Sequence, residues 1–379
     1  MSDGVIRMAM VGGGPGSFIG PVHRMAAELD GRIRLVAGAF SRDEGRSRTA
    51  AEGYGIDPSR AHGDYRRMLA AEAARPDGAQ FVAIVTPNHL HFPVAKAALE
   101  AGFHVLSDKP ATATLEEAES LARVVAATGR LYGLTYTYTG YALVREARAL
   151  VRRGDLGAVR KVVVEYSQGW MSDAVEKTDN VQAAWRADPA RSGLGGCIGD
   201  IGVHAFNAAE FVSGLAVTRL NADLNSVVPG RRLDDDCNIL LRFNDTVPGV
   251  LVASQVAAGD RNGLRLRVYG EKGGLDWCHE RPDVLTLNWL DRPTQTLHAA
   301  APYLGPAGRG PARLPTGHPE GFIEAFANIY RDFAGAISHG CLTGGGLSGT
   351  VVPTIQDGVR GMAFVARAVA ANGTGWVDL

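Results

Sequence analysis

The apolar run Val5–Val11 leads straight into Gly12-Gly13-Gly14-Pro15-Gly16-Ser17-Phe18-Ile19-Gly20, and a helical pattern with Pro21 at its expected first position follows. A strand that enters a helix through so many glycines needs backbone approaches and φ angles that side chains forbid, so it opens a β-α unit. The chain then repeats that order. Continuous apolar runs at Ile33–Phe40, Gln80–Val85 and Phe103–Ser107 read as strands buried on both faces, with Arg130–Thr135 as the last. Helical patterns lie between them at Pro21–Leu29, Arg42–Glu52, Arg66–Ala74, Phe92–Ala101 and Leu115–Thr128. Alternating β and α elements predict a doubly wound parallel sheet of the α/β class over residues 1–135.

The texture changes after residue 136, where longer strand patterns follow one another with few helices between. Val159–Gln168, Val217–Val227, Asn238–Phe243, Gly249–Val256, Leu264–Tyr269 and Val284–Trp289 are the clearest, with turns expected at Asn244-Asp245 and Gly273-Gly274. Helices are expected at Ala142–Arg153, Asp200–Val212, Pro319–Ser338 and Pro353–Ala371. Residues 136–379 therefore read as an α+β domain with a large mixed or antiparallel, open-faced sheet. His298–Pro319, dense in Gly and Pro, reads as a surface or active-site loop. In Val159–Gln168 one side carries Val162, Val164 and Tyr166 and the other Lys161, Val163, Glu165 and Ser167. Such a mixed second side suits a subunit contact, so a homo-oligomer is expected.

Composition narrows the partners. The chain has 379 residues, 46% of them hydrophobic, which excludes disorder and suits two domains. Its 39 Lys+Arg nearly balance 40 Asp+Glu, so no basic excess serves nucleic-acid binding and a small molecule is the expected partner. Cys197, Cys237, Cys278 and Cys341 lie far apart without a C-x-x-C, which fits a reducing compartment. The start lacks the basic segment and cleavage site of a signal peptide, and no run approaches ~18 apolar residues, so a cytoplasmic protein without membrane contact is expected. His89 and His91 are two apart but have no clustered carboxylates, so no metal is expected. G-x-x-x-x-G-K-[ST], G-x-S-x-G and H-E-x-x-H are all absent.

The glycine turn sets the first chemical expectation. Its backbone can approach a pyrophosphate at the positive end of the following helix, as in a Rossmann dinucleotide site. Gly12 and Gly14 supply the first pair of G-x-G-x-x-G, and Gly20 comes after five intervening residues instead of two. An ordinary glycine-rich βα loop is the plainer alternative. The second strand ends Ser41-Arg42, a hydroxyl and a guanidinium that suit a 2′-phosphate, which tilts the expected NAD(P) cofactor slightly toward NADP. Asp43 turned inward would serve NAD, and a solvated Arg42 would serve neither.

Lys109, one of five lysines, sits in Ser107-Asp108-Lys109-Pro110 at the carboxyl end of a strand, where doubly wound sheets bind ligands. An ammonium there can favour an alkoxide developing on a carbinol carbon. Read alone, it is better taken as a solvent-facing turn lysine. Likewise Asp200 and His204, four apart after a glycine-rich approach, offer a carboxylate and a base or a mere cap and an incidental ring. Taken with Thr86-Pro87-Asn88-His89-Leu90-His91, these segments resemble the Gfo/Idh/MocA family of sugar and inositol dehydrogenases, in its T-P-N, E-K-P and D-x-G-x-H signatures. Asp108 stands where the family has Glu, and the glycine turn is longer.

The resemblance runs along essentially the whole chain, including Asp235-Asp236 and His318-Pro319-Glu320-Gly321-Phe322. It implies hydride transfer between NAD(P) and a secondary hydroxyl or ketone of a sugar, glycoside or inositol. Lys109, Asp200 and His204 would be catalytic, with His204 as general base and Asp200 orienting the substrate. Gly12, Gly14, Gly20, Ser41, Arg42, Thr86, Pro87, Asn88, His91 and Lys109 would hold the cofactor. Trp170, Trp185, Arg186 and His318 would line a polyol pocket, although core Trp and surface Arg are the commoner reading. A non-catalytic NAD(P)-binding regulator or sugar sensor on the same fold is the alternative, and a carbohydrate-binding module a weaker one.

Overall fold

The computed structural model describes residues 4–338 and 351–379, so Cys341 lies outside the described residues. The chain forms two compact units, Met1–Thr137 with Phe326–Val359, and Tyr138–Ala325 with Arg360–Leu379. In the first, β1 (Ile6–Gly12), β2 (Ile33–Ala39), β3 (Phe81–Val85), β4 (His104–Ser107) and β5 (Tyr132–Leu134) form a parallel sheet in the order β2-β1-β3-β4-β5. Between them run α1 (Ile19–Glu28), α2 (Glu44–Gly53), α3 (Tyr65–Ala73), α4 (His91–Glu100) and α5 (Leu115–Thr128). Every residue of β3 and β4 is buried, which is why their apolar runs are continuous. Side-chain caps fix three helix starts: Asp43 accepts from Arg46 N, Asp64 from Arg66 N and Arg67 N, and Thr114 from Glu117 N. Strand order reverses between β1 and β3, and a binding crevice opens beyond the carboxyl ends of strands at such a point.

The glycine turn fills that end of β1. Gly12, Gly13 and Gly16 have φ of +91°, +77° and +84°. A Cβ on Gly12 would lie 2.6 Å from Val85 O, and one on Gly14 2.4 Å from Phe40 O. Helix α1 begins at Ile19, earlier than expected, so Pro21 is its third residue, still within the turn whose N–H groups have no helical partner. Gly20 is thus helical, and its Cβ would sit 2.3 Å from Gly13 Cα. Its N–H is taken by Ser17 Oγ at 3.2 Å. The third glycine packs the helix onto the turn instead of offering an amide.

The second unit holds α6 (Ala142–Arg152), β6 (Val159–Ser167), the short helices α7 (Val181–Arg186) and α8 (Pro189–Ser192), and α9 (Val203–Ser213). Next come β7 (Val217–Asn225), β8 (Asp236–Phe243), β9 (Val247–Ser254), β10 (Gly263–Gly270), β11 (Gly273–Cys278), β12 (Val284–Trp289), β13 (Gln295–His298) and the short helix α10 (Pro306–Arg309). After α11 (Phe322–Ser338) and α12 (Ile355–Ala370), β14 (Val377–Asp378) completes a nine-stranded sheet ordered β13-β12-β11-β10-β6-β9-β8-β7-β14. β6 and β9 are parallel, and the remaining pairs are antiparallel. Burial alternates along β6, β8 and β10 because only one face is covered, with α9 lying on it. Across the other face Leu240 is opposite Val250, Val250 beside Val163, and Val163 opposite Arg267.

Several sequence expectations shift here. Asn244 and Asp245 do form a turn, both with positive φ, but Gly273-Gly274 opens β11 instead of making a turn. Glycine is required there because a Cβ on Gly273 would meet Asn288 O at 2.4 Å. The expected helix at Asp200 starts as a π-helical turn, Ile198–Gly202, before α9. A linear boundary at residue 135 omits part of the first unit: Phe326, Tyr330 and Phe333 of α11 pack with it, and the Phe333 and Phe81 rings are 5.5 Å apart. Among the described residues no helix is long and apolar enough to cross a membrane.

The Gly20–Gly13 contact generates a stability test. Gly20→Ala forces backbone against backbone and is expected to cost about 1–3 kcal/mol in urea unfolding. Gly53→Ala, with nothing within 4 Å of the added Cβ, should be neutral or slightly stabilising.

Candidate active site

At the carboxyl edge of the parallel sheet, the ends of β1, β3 and β4 meet. Gly12 pairs with Val85, so Thr86 stands beside the glycine turn, its Cγ2 3.1 Å from where a Gly12 Cβ would be. Thr86 Oγ1 is buried and finds no hydrogen-bond partner among the described residues. Tyr54 holds the turn from the other side, its hydroxyl donating to Gly13 O at 2.7 Å. At the end of β2, Ser41 Oγ accepts from Asp43 N at 3.2 Å, and the Asp43 carboxylate is taken up in capping α2. Arg42 is exposed beside them.

Pro87 leads into a 3-10 turn, Asn88–Leu90, in which Asn88 is buried. His91 is also buried, and its two ring nitrogens lie 2.6 Å from Pro110 O and 2.8 Å from Thr86 O. Its ring is therefore spent on bracing the T-P-N turn against the Lys109-Pro110 turn. Burial lowers its pKa, while the two carbonyls reward a ring that carries both protons. Lys109 lies two residues beyond β4, followed by a cis peptide bond to Pro110. Asp108 Oδ1 accepts from Lys109 N at 2.8 Å and from Thr135 Oγ1 at 3.0 Å, which fixes the lysine backbone.

In the second unit the π-helical turn presents Asp200. Arg186 Nε donates to Asp200 Oδ2 at 3.0 Å, and Gln255 Nε2 to the same oxygen at 2.9 Å. The Arg186 guanidinium lies over the Trp185 ring at 4.3 Å and near that of Trp170 at 5.8 Å. Four of the expected residues thus come together. His204, on the first turn of α9, is buried with the Tyr138 ring 5.1 Å and the Tyr166 ring 6.3 Å away. His318 is exposed, its Nδ1 3.1 Å from Pro315 O within its own loop.

Sequence reasoning missed the supports of this group. Gln255 is buried just past β9 and carries no motif. Asp234 accepts from Gly196 N and Ile198 N, each at 2.7 Å, and so caps the turn that carries Asp200. A Cβ on Gly196 would lie 2.1 Å from Asp234 O, so the glycine-rich approach is itself part of the cap. Tyr138 and Tyr166 share a short hydroxyl contact, Tyr166 donates to Asn262 Oδ1 at 2.7 Å, and Gln168 Nε2 donates to the same oxygen at 2.6 Å. Gln168 in turn accepts from Trp170 Nε1 at 2.9 Å. Burial pushes the Tyr138 hydroxyl up to about 12, so it is a neutral donor at physiological pH. Among the described residues no cluster of three or more His, Cys, Asp or Glu could hold a metal ion.

Both parts of the chain have counterparts among known proteins. Residues 6–136 match the oxidoreductase family with an NAD-binding Rossmann fold, and residues 144–276 match the GFO/IDH/MocA C-terminal domain. The uncharacterized oxidoreductase YfiI of Bacillus subtilis (strain 168) is 34% identical over 98% of this chain and 96% of its own. Levoglucosan dehydrogenase of Pseudarthrobacter phenanthrenivorans is 27% identical over 82% of this chain and 87% of its own. The crystal structure of an inositol dehydrogenase homolog from Azotobacter vinelandii complexed with NAD+ superposes with a TM-score of 0.95 at 39% identity, covering 99% of this chain and 98% of that one. The same homolog complexed with NADH and myo-inositol gives 0.92 at 38% identity, over the same shares. The chain belongs to the Gfo/Idh/MocA oxidoreductase family, with an NAD-binding Rossmann fold and that family's C-terminal domain.

Proposed function

We propose that this protein moves a hydride between NAD(P) and a secondary hydroxyl or ketone of an inositol, sugar or glycoside, with Lys109, Asp200 and His204 as its catalytic residues. The observation that carries the reading is the placement of Lys109 beyond β4, at the same carboxyl edge as the glycine cradle beyond β1. The cradle fits the cofactor: its glycines leave room that a Cβ would fill, and Thr86 Oγ1 is a buried polar atom awaiting a partner. Gly12 and Gly14 would let the backbone approach the pyrophosphate, with Thr86, Pro87 and Asn88 alongside. The nicotinamide supplies the hydride acceptor in oxidation and the donor in reduction.

The Lys109 ammonium donates to the reacting oxygen and favours it as an alkoxide. His204 takes the hydroxyl proton as the hydride leaves its carbon. Asp200 accepts from neighbouring substrate hydroxyls, and Arg186 and Gln255 hold its carboxylate in place. Trp170 and Trp185 offer apolar faces to the C–H side of a ring, and His318 belongs to the exposed rim. The Azotobacter homolog's complex with myo-inositol supports an inositol or related polyol as first substrate to try. Cys197 and Cys237, both buried free thiols, support a reducing, cytoplasmic setting.

Three measurements test the reading. Lys109→Ala and His204→Ala should each lower kcat about 100-fold or more with myo-inositol, while the dissociation constant of NADH changes little. Near-normal turnover in either variant sinks the mechanism, and a wild-type protein that binds NADH but turns over no polyol is a regulator. The exposed Arg42 would contact a 2′-phosphate, so Arg42→Ala should weaken NADP far more than NAD; equal losses would remove Arg42 from cofactor choice. The open face of the nine-stranded sheet, with Leu240, Val250 and Val163 in one row across it, would pair two copies. Light scattering should give a mass at least twice 40.0 kDa, reduced by Val163→Asp; a wild-type monomer refutes the pairing.

A further inference from the structure

His23 is a buried ring with no place in the reaction as written. It lies on α1, fully enclosed, with Nδ1 2.6 Å from the Tyr330 hydroxyl and the Phe326 ring at 4.7 Å. Among the described residues its Nε2 has no hydrogen-bond partner, and it faces Asp108 Oδ2 at 3.9 Å, a charge-pair distance. A phenyl ring would fill this space without bringing polar atoms into it, and a buried polar nitrogen costs free energy unless it meets a partner. The approach stops about 1 Å short of hydrogen-bond length, on the side where aspartate reaches less far than a glutamate would. On the other side of the same carboxylate, Oδ1 holds the backbone N–H of Lys109.

We propose that His23 is a positioning residue for Lys109, acting through Asp108: Tyr330 fixes the imidazole, the imidazole draws one carboxylate oxygen, and the other oxygen sets the lysine. This rests on the catalytic reading of Lys109 given above. Besides the Thr135 hydroxyl, four titratable groups face the Asp108 carboxylate or its partners, namely His23 from α1, His91 from α4, Tyr330 from α11, and Lys109 itself. Burial would raise the Asp108 carboxyl, but His23, Lys109 and His91 together hold it well below the usual carboxylate range. The carboxylate is therefore set between the imidazole at Oδ2 and the lysine backbone at Oδ1. Without the imidazole, Oδ2 loses the group it faces, and the carboxylate is free to turn toward the lysine side chain and cover its amine.

The test reads Lys109 directly, by its rate of acylation with acetic anhydride at pH 9 and peptide mass, alongside kcat and NADH affinity. His23→Asn keeps an acceptor near Nδ1 and removes the group facing Asp108; acylation should slow about threefold and kcat fall about tenfold, with NADH affinity unchanged. His23→Gln can place its amide near Nε2 and should restore most of both. Tyr330→Phe removes only the hydroxyl and should act in the same direction as His23→Asn by a smaller factor, which provides a reading if His23→Asn does not fold. In an Asp108→Asn background, neither His23→Asn nor Tyr330→Phe should change acylation further. Equal effects of Asn and Gln at position 23, or undiminished effects in that background, overturn the proposal. Wild-type turnover by Lys109→Ala would instead overturn the catalytic reading and leave the acylation result standing.

Discussion

The first unit is organised around one close contact, backbone on backbone, where Gly20 of α1 meets Gly13 of the turn beyond β1. It lets the helix start against the strand end, directs its free amide groups toward the crevice between β1 and β3, and brings Thr86 alongside. Any side chain at Gly12, Gly14 or Gly20 would strike neighbouring backbone. The sequence cost is a run of glycines with little intrinsic order, offset by Tyr54 tying the turn down through Gly13 O.

The second unit relies on a different device, a carboxylate gripped from several sides. Asp200 sits on a π-helical turn, a geometry that recurs at functional sites because it re-aims side chains at some cost in backbone hydrogen bonding. Asp234 caps that turn, and Arg186 and Gln255 fix the carboxylate. Arg186 is itself ordered by further contacts, with the tryptophan rings and with Gln182. Such a network is stiff only when all members are satisfied, so losing one is felt by the rest.

Much of this was legible in the sequence for physical reasons. Continuous apolar runs marked β1 to β4 because both faces are covered, and the alternation in Val159–Gln168 marked the open-faced sheet. The D-x-G-x-H and D-K-P segments placed Asp200, His204 and Lys109 where local rules suffice, at strand ends and a helix start. Non-local contacts were not legible. Gln255 and Asp234 act on residues 55 and at least 36 positions away, and neither has a local signature. Gly273-Gly274 looked like a turn because glycine pairs usually are, and only the crossing of Asn288 and Trp289 explains them in a strand. The motif marks His91 as a cofactor contact, and only the folded chain shows its ring engaged by two carbonyls.

The return of Phe326–Val359 to the first unit also bears on how this chain is made. A ribosome that has released the five strands of the parallel sheet has not yet released the aromatic helix that covers Phe81 and His23. At ~5–20 residues per second, on the order of ten seconds or more separate the two events. During that interval the nascent sheet carries an uncovered apolar surface and a histidine facing no tyrosine. Its folding is therefore completed by a segment made roughly two hundred residues after its last strand, which couples the maturation of the nucleotide-binding half to synthesis of the second unit.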